Sequence, residues 1–179
     1  MDEKEDPTIY KVVETGKHSI PQSSHSGPYP LSFAQQRLWF LEQLEPGSST
    51  YNIPRAFRIS GALNEDVLHR VLTAIVDRHE SLRTTFTATE KEPVQVIAQR
   101  GQLPMPVVDL RQVPTAAREA EAQRLITEEA RRPFDLAQGP LIRVILLRLG
   151  EEEHILMLTV HHIVSDGWSM SVFFRELTA

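Results

Sequence analysis

LIRVILLRL (141–149), GEEE (150–153) and HILMLTVHH (154–162) follow one another without interruption, and their reading decides the fold. Two apolar runs joined by a short polar turn predict a strand–turn–strand unit. The second run carries apolar residues at both odd and even positions, so its strand is largely buried on both faces. IVSDGWS (163–169) then breaks the pattern, and SMSVFFREL (169–177) resumes with a helical one. A strand covered on both sides needs layers above and below it, and the upstream chain offers them. Ser32 is a good N-cap with Gln35 at the capping-box position, and Phe33, Leu38, Leu41 and Leu44 recur at helical spacing until Pro46-Gly47. AFRIS (56–60) reads as a strand. Asn64 caps a helix with Glu65 and Asp66 in its first turn, and Val67, Leu68, Val71, Leu72, Ile75 and Val76 form its buried stripe. LRTTFTA (82–88), PVQVIAQ (93–99) and MPVVD (105–109) read as strands, followed by a helix from Pro114 to Arg131. The order predicts an α/β domain (α+β layered): a mixed β-sheet with packed helices.

The chain has 179 residues, enough for one globular domain with a substantial core. A formal net charge of −5 without a basic block argues against nucleic acid as a partner. The absence of cysteine excludes a disulfide framework, a cysteine nucleophile and a thiolate zinc site. The chain opens MDEKED, acidic where a secretory signal is basic, and no apolar run approaches the ~20 residues of a membrane span. A soluble cytoplasmic protein without a membrane partner is expected. Residues 1–30 are rich in Pro, Gly and Ser and read as a lead-in linker. Within them IYKVV (9–13) reads as solvated tail rather than strand. The folded unit is expected over 31–179.

HHIVSDGWS (161–169) carries the chemistry. Side chains alternate across a strand, so His161 and His162 point to opposite faces, which is wrong for two ligands on one metal. No metal is expected. The string G-W-S-M-S (167–171) lacks the second glycine of a nucleophile elbow, and Ser169 reads as a helix cap instead of a nucleophile. The third option is a histidine that handles a proton during acyl transfer, seated on a rigid strand end. The histidine pair with Asp166 and Gly167 at this spacing favours that option.

The same stretch resembles the HHxxxDG motif of condensation domains of nonribosomal peptide synthetases. These belong to the superfamily of chloramphenicol acetyltransferase and other CoA-dependent acyltransferases, and epimerisation domains share the motif. LSFAQQRLWFL (31–41) is similar to the family's first motif, SxAQxRLWxL, and RHESLRTTF (78–86) to its second, RHExLRTxF. PFDLAQGPLIR (133–143) resembles a further stretch common in these domains. The first motif's wording favours the subtype that joins an L-configured donor to an L-configured acceptor.

The resemblance implies a chloramphenicol acetyltransferase-like lobe. Family domains have two such lobes, and this chain matches the N-terminal one, with the C-terminal lobe of the same domain absent. It implies an acyltransferase that forms a peptide bond, the amine of a carrier-bound acceptor attacking a carrier-bound donor thioester. The implied partners are donor and acceptor peptidyl carrier proteins, whose phosphopantetheine arms bring the substrates, the C-terminal lobe and an adjacent adenylation domain. No covalently bound cofactor is implied. It assigns catalysis to His162 and a backbone donor to Gly167, turns His161 into the lobe interior, and pairs Asp166 with an arginine, Arg78 in preference to Arg83. The fragment by itself is expected to be inactive. Two other readings stand beside this one: a non-catalytic condensation-like module that recruits carrier or tailoring proteins, and a CoA-dependent acyltransferase.

Overall fold

The computed structural model describes residues 27–90 and 92–178. The predicted hairpin is its spine. Strand β6 (Ile142–Arg148) pairs antiparallel with β7 (Glu153–His161), and Leu149 and Gly150 both donate their N–H to the Glu153 carbonyl to close the turn. β7 is buried at every position after Glu153, as its doubly apolar pattern requires. β2 (Asn52–Ser60) lies antiparallel along its other side, and β5 (Val107–Asp109) runs parallel to β6. The result is a four-stranded mixed sheet of order β2-β7-β6-β5. The expected single sheet is accompanied by a second one. β3 (Thr84–Ala88), β4 (Pro93–Ile97) and the two-residue β1 (Tyr29–Pro30) form a small antiparallel sheet of order β1-β4-β3. Tyr29 and Pro30, expected in the lead-in, are therefore part of the fold; two residues carry no periodicity, and only the open edge of β4 makes them a strand. IYKVV lies outside the described residues.

Helices occupy both faces of the mixed sheet. α3 (Thr115–Arg131) covers the face carrying Leu147 and Ile155, with Ala122 fully buried between them. α2 (Glu65–Arg78), α4 (Gly167–Leu177) and the small sheet cover the other, where Leu72, Ile75, Val76 and Phe173 meet Leu156, Leu158 and Val160. Asn64 caps α2 as expected, by accepting from Val67 N–H. The expected stripe of α2 is narrower than its periodicity suggests: Leu72, Ile75 and Val76 are buried, whereas Val67 is 41% exposed in the first turn.

α1 (Phe33–Leu44) departs further. Its N-terminus has the predicted capping box, Ser32 and Gln35 bonding to each other's backbone N–H at 3.3 and 2.9 Å. Its predicted buried stripe does not form. Phe33 is 90% and Leu44 61% exposed, and only Leu38 and Trp39 pack against the main core. Periodicity aligns apolar residues on one face, but it does not say how much of that face a neighbour covers. Among the described residues no helix is long and apolar enough to cross a membrane.

Candidate functional site

β7 ends at His161, and the chain there separates the two histidines. His161 is 1% exposed and faces the α3 side, while His162 is exposed beyond the strand end. Three backbone bonds fix this junction. His161 N–H donates to Leu141 O at 3.0 Å, His162 N–H to Tyr51 O at 2.9 Å, and Val164 N–H to His161 O at 3.1 Å. The His161 ring adds a fourth, its Nδ1 accepting from Ile163 N–H at 3.2 Å. Burial, with the neighbouring His162 adding, pushes the His161 pKa down to about 4. His161 is therefore neutral near pH 7 and sealed in the lobe. His162 alone of the pair reaches open space.

That space is a cleft of about 600 Å³ between α1 and the loop after β7. Ala34, Arg37 and Leu38 of α1 form one wall, and Tyr51, His162 and Asp166 belong to the other. An accessible imidazole here can take up and return a proton. The start of α4 adds backbone donors, since the first-turn N–H groups of a helix have no intrahelical acceptor. Gly167 is the first residue of that helix and is exposed, and a Cβ placed on it meets nothing within 4 Å.

The expected Asp166–Arg78 ion pair does not form. Asp166 is the N-cap of α4: its Oδ1 accepts from Ser169 N–H at 2.8 Å and from Ser169 Oγ at 2.7 Å. Those two bonds, the side-chain one first, hold its carboxyl below the usual carboxylate range. An exposed carboxylate seated on a helix end has its counter-charge in the helix dipole and needs no guanidinium. Arg78 instead reaches Glu176 of α4 at 3.5 Å, beside the 2.9 Å contact of His79 with the same carboxylate. Arg83 binds the backbone carbonyls of Asp77 and Ala98 and so ties α2 to the end of β4. Ser169 is not the cap but the residue that the cap holds, three positions later.

Tyr51 belongs to the site without any signal in the sequence pattern. AFRIS places the strand start at Ala56, but β2 starts at Asn52, which is what brings Tyr51 opposite His162. Pro54 hides that extension, because proline in a run reads as a break; at a sheet edge it is tolerated.

Comparison with known proteins gives these residues a context. Residues 25–179 match the family described as Condensation domain. A component of the linear gramicidin synthase of Brevibacillus parabrevis is 55% identical over 148 residues, which is 83% of this chain and 2% of that protein. Phosphinothricin tripeptide synthetase PhsC of Streptomyces viridochromogenes is 50% identical over 153 residues, 86% of this chain and 14% of its own length. The crystal structure of the starter condensation domain of rhizomide synthetase RzmA has a TM-score of 0.78 at 30% identity, covering 85% of this chain and 36% of that one. The first condensation domain of the calcium-dependent antibiotic synthetase, in complex with a substrate analogue, has a TM-score of 0.76, also at 30% identity and with the same coverage. This chain thus spans a small fraction of the synthetases and little more than a third of the solved domains.

Proposed function

The chain belongs to the condensation-domain family of nonribosomal peptide synthetases, and from that premise we propose that it is the N-terminal lobe of a domain that joins two carrier-bound substrates. Condensation domains of these synthetases form peptide bonds. In the proposed reaction the α-amine of an acceptor attacks the thioester carbonyl of a donor. The C–N bond forms, the C–S bond breaks, and the amine proton ends on the departing thiol. Both substrates are held on phosphopantetheine arms of carrier proteins, and a C-terminal lobe and an adenylation domain complete the assembly. The lobe proper is residues 31–179 together with the short strand Tyr29–Pro30 that joins its small sheet, and the segment before them is its lead-in.

The observation that carries this reading is the asymmetry of the histidine pair: His161 is sealed and neutral, and His162 stands in an open cleft. His162 is the catalytic residue, positioned to accept the amine proton. A free α-amine has a pKa of about 8, so about a tenth is neutral at pH 7 without help. General base catalysis adds about 10²–10⁴-fold, and aligning the amine by a hydrogen bond contributes on a similar scale. To the N–H of Gly167, in the exposed first turn of α4, this reading assigns the stabilisation of the developing oxyanion. Asp166 builds that helix start rather than touching substrate.

The test is single-turnover transfer between two loaded carriers in the complete condensation domain. His162→Ala is expected to lower the rate by at least about 10², and His161→Ala to act through stability. Equal chemical loss in both variants with folding intact overturns the assignment. Turnover of a free CoA thioester in place of the loaded donor turns the reading to a CoA-dependent acyltransferase, and carrier binding without transfer to a recruiting module.

A further inference from the structure

Asn52, Thr159 and His161 are neighbours on the α3-facing side of the mixed sheet. Asn52 lies directly opposite His161 in the β2–β7 register, and Thr159 is two residues back on the same face. The His162 N–H···O=C Tyr51 bond flanks the Asn52–His161 pair, which makes it the closer, non-hydrogen-bonded kind. Each of the three residues has a buried polar atom without a partner among the described residues: Asn52 Oδ1, Thr159 Oγ1 and His161 Nε2. Buried polar groups in native proteins are satisfied almost without exception, so three together call for a shared partner.

Their chemistry specifies it. Asn52 Nδ2 donates to the carbonyls of Ala130 and Arg132 at the end of α3, at 2.8 and 2.9 Å. Its amide orientation is fixed by those bonds, and Oδ1 faces away from them as an acceptor. His161 Nδ1 accepts from Ile163 N–H, so in the neutral ring the proton sits on Nε2, a donor. Thr159 supplies a hydroxyl that serves as either. Tyr51 and Phe134 close the site with rings at 6.3 and 6.0 Å from the imidazole. We propose that Asn52, Thr159 and His161 bind one internal water, which accepts from His161 Nε2–H and donates to Asn52 Oδ1 and Thr159 Oγ1. Three hydrogen bonds are what a buried water typically makes.

The water holds the outer edge of the His161 ring while its inner edge holds Ile163 N–H. His162 is thereby gripped from both sides, by Tyr51 O on its own N–H and by His161 on the N–H of the next residue. Asn52 and Thr159 become positioning residues for His162; this consequence, though not the water site, rests on the proposed reaction.

The experiment is nuclear magnetic resonance of the 179-residue chain labelled with ¹⁵N-histidine. The expected result is a neutral His161 protonated at Nε2, its proton slow to exchange and joined by a cross-peak to a long-lived water. Thr159→Val removes one partner at constant shape and is expected to abolish the cross-peak, and Thr159→Ser to keep it. In the complete domain Thr159→Val is expected to lower kcat about fivefold at unchanged KM for both loaded carriers, with Thr159→Ser restoring it. A proton on Nδ1, an Nε2–H without water contact, or a crystal structure with His161 Nε2 bonded directly to Asn52 Oδ1 overturns the site. An unaltered kcat in Thr159→Val overturns the positioning role. The resonance readouts need no turnover, so a domain that fails to condense overturns the proposed reaction while the water site is judged on its own signals.

Discussion

Two adjacent histidines of identical chemistry acquire opposite properties from one peptide step. His161 ends a strand on the covered face of a sheet, and His162 lies just beyond that strand's end. The consequence is measurable as a pH dependence of stability. The His161 pKa in the folded chain is about 4, below the ordinary 6.5, because burial disfavours the charged ring. Between those values the unfolded chain binds a proton that the folded one does not. Stability therefore has its full His161 share above about pH 6.5 and falls on acidification, by about 3 kcal/mol once pH 4 is reached. Urea unfolding of the chain at about pH 7 and about pH 4.5 is expected to show a loss of that order. His161→Leu is expected to flatten the slope, and an equally steep slope in that variant overturns the pKa assignment. The alternation that separates the two side chains was legible in the sequence, since it follows from strand geometry alone. The partner of Asp166 was not. A carboxylate before Gly-Trp-Ser fits a helix cap as well as an ion pair, and which one forms depends on where α4 begins.

Among the elements, the β6–β7 hairpin and α2 were legible because their apolar residues are buried by contact with neighbours on both sides or on a broad face. α1 was legible as a helix but not as a peripheral one, because its caps are local whereas its coverage is set by whatever packs against it. The small sheet's third strand was illegible for a similar reason: Tyr29–Pro30 exist as a strand only through their pairing with Val94 and Gln95. The joint between α3 and β6 carries a further expectation. Glu129 and Arg143 form an ion pair across it with both side chains largely buried, and Arg143 also donates to the carbonyls of Arg132 and Pro133 and lies over the Phe134 ring at 3.7 Å. Desolvation lowers the Arg143 pKa despite the Glu129 bond, a sign that the guanidinium is held in a poorly solvated seat. Arg143→Leu leaves the buried Glu129 carboxylate only its 3.7 Å contact with the exposed Arg132 and is expected to cost up to about 3–5 kcal/mol in unfolding free energy. The double variant Glu129→Leu, Arg143→Leu is expected to recover a substantial part of that loss. Equal destabilisation in the single and double variants would place the energy in the carbonyl and ring contacts instead of the pair.

At the scale of the whole molecule, the most exposed large apolar side chains stand on α1 and at the start of α4, two elements that contribute residues to the cleft. Phe33 at 90%, Phe40 at 57% and Leu44 at 61% exposure run along α1, and Trp168 at 80% stands at the start of α4. β2 adds an edge strand of nine residues whose outer side is unpaired among the described residues. Surfaces of this kind are interaction sites. In the proposed assembly the C-terminal lobe faces the cleft, and His162 serves a passage walled on both sides. One wall cannot hold two carrier arms in register, and that alignment is worth about 7–11 kcal/mol of the barrier. Water would also have free access to the thioester across an open cleft. The 179-residue chain is therefore expected to fold, since it encloses its own core, and to show concentration-dependent self-association by analytical ultracentrifugation. It is expected to give no condensation with two loaded carriers. Supplying the C-terminal lobe as a separate chain is expected to suppress the self-association and to restore product, with His162→Ala removing it again. Turnover by the chain alone at the rate of the complete domain would mean that the cleft beside α1 already aligns both substrates, and that His162 works within a single lobe.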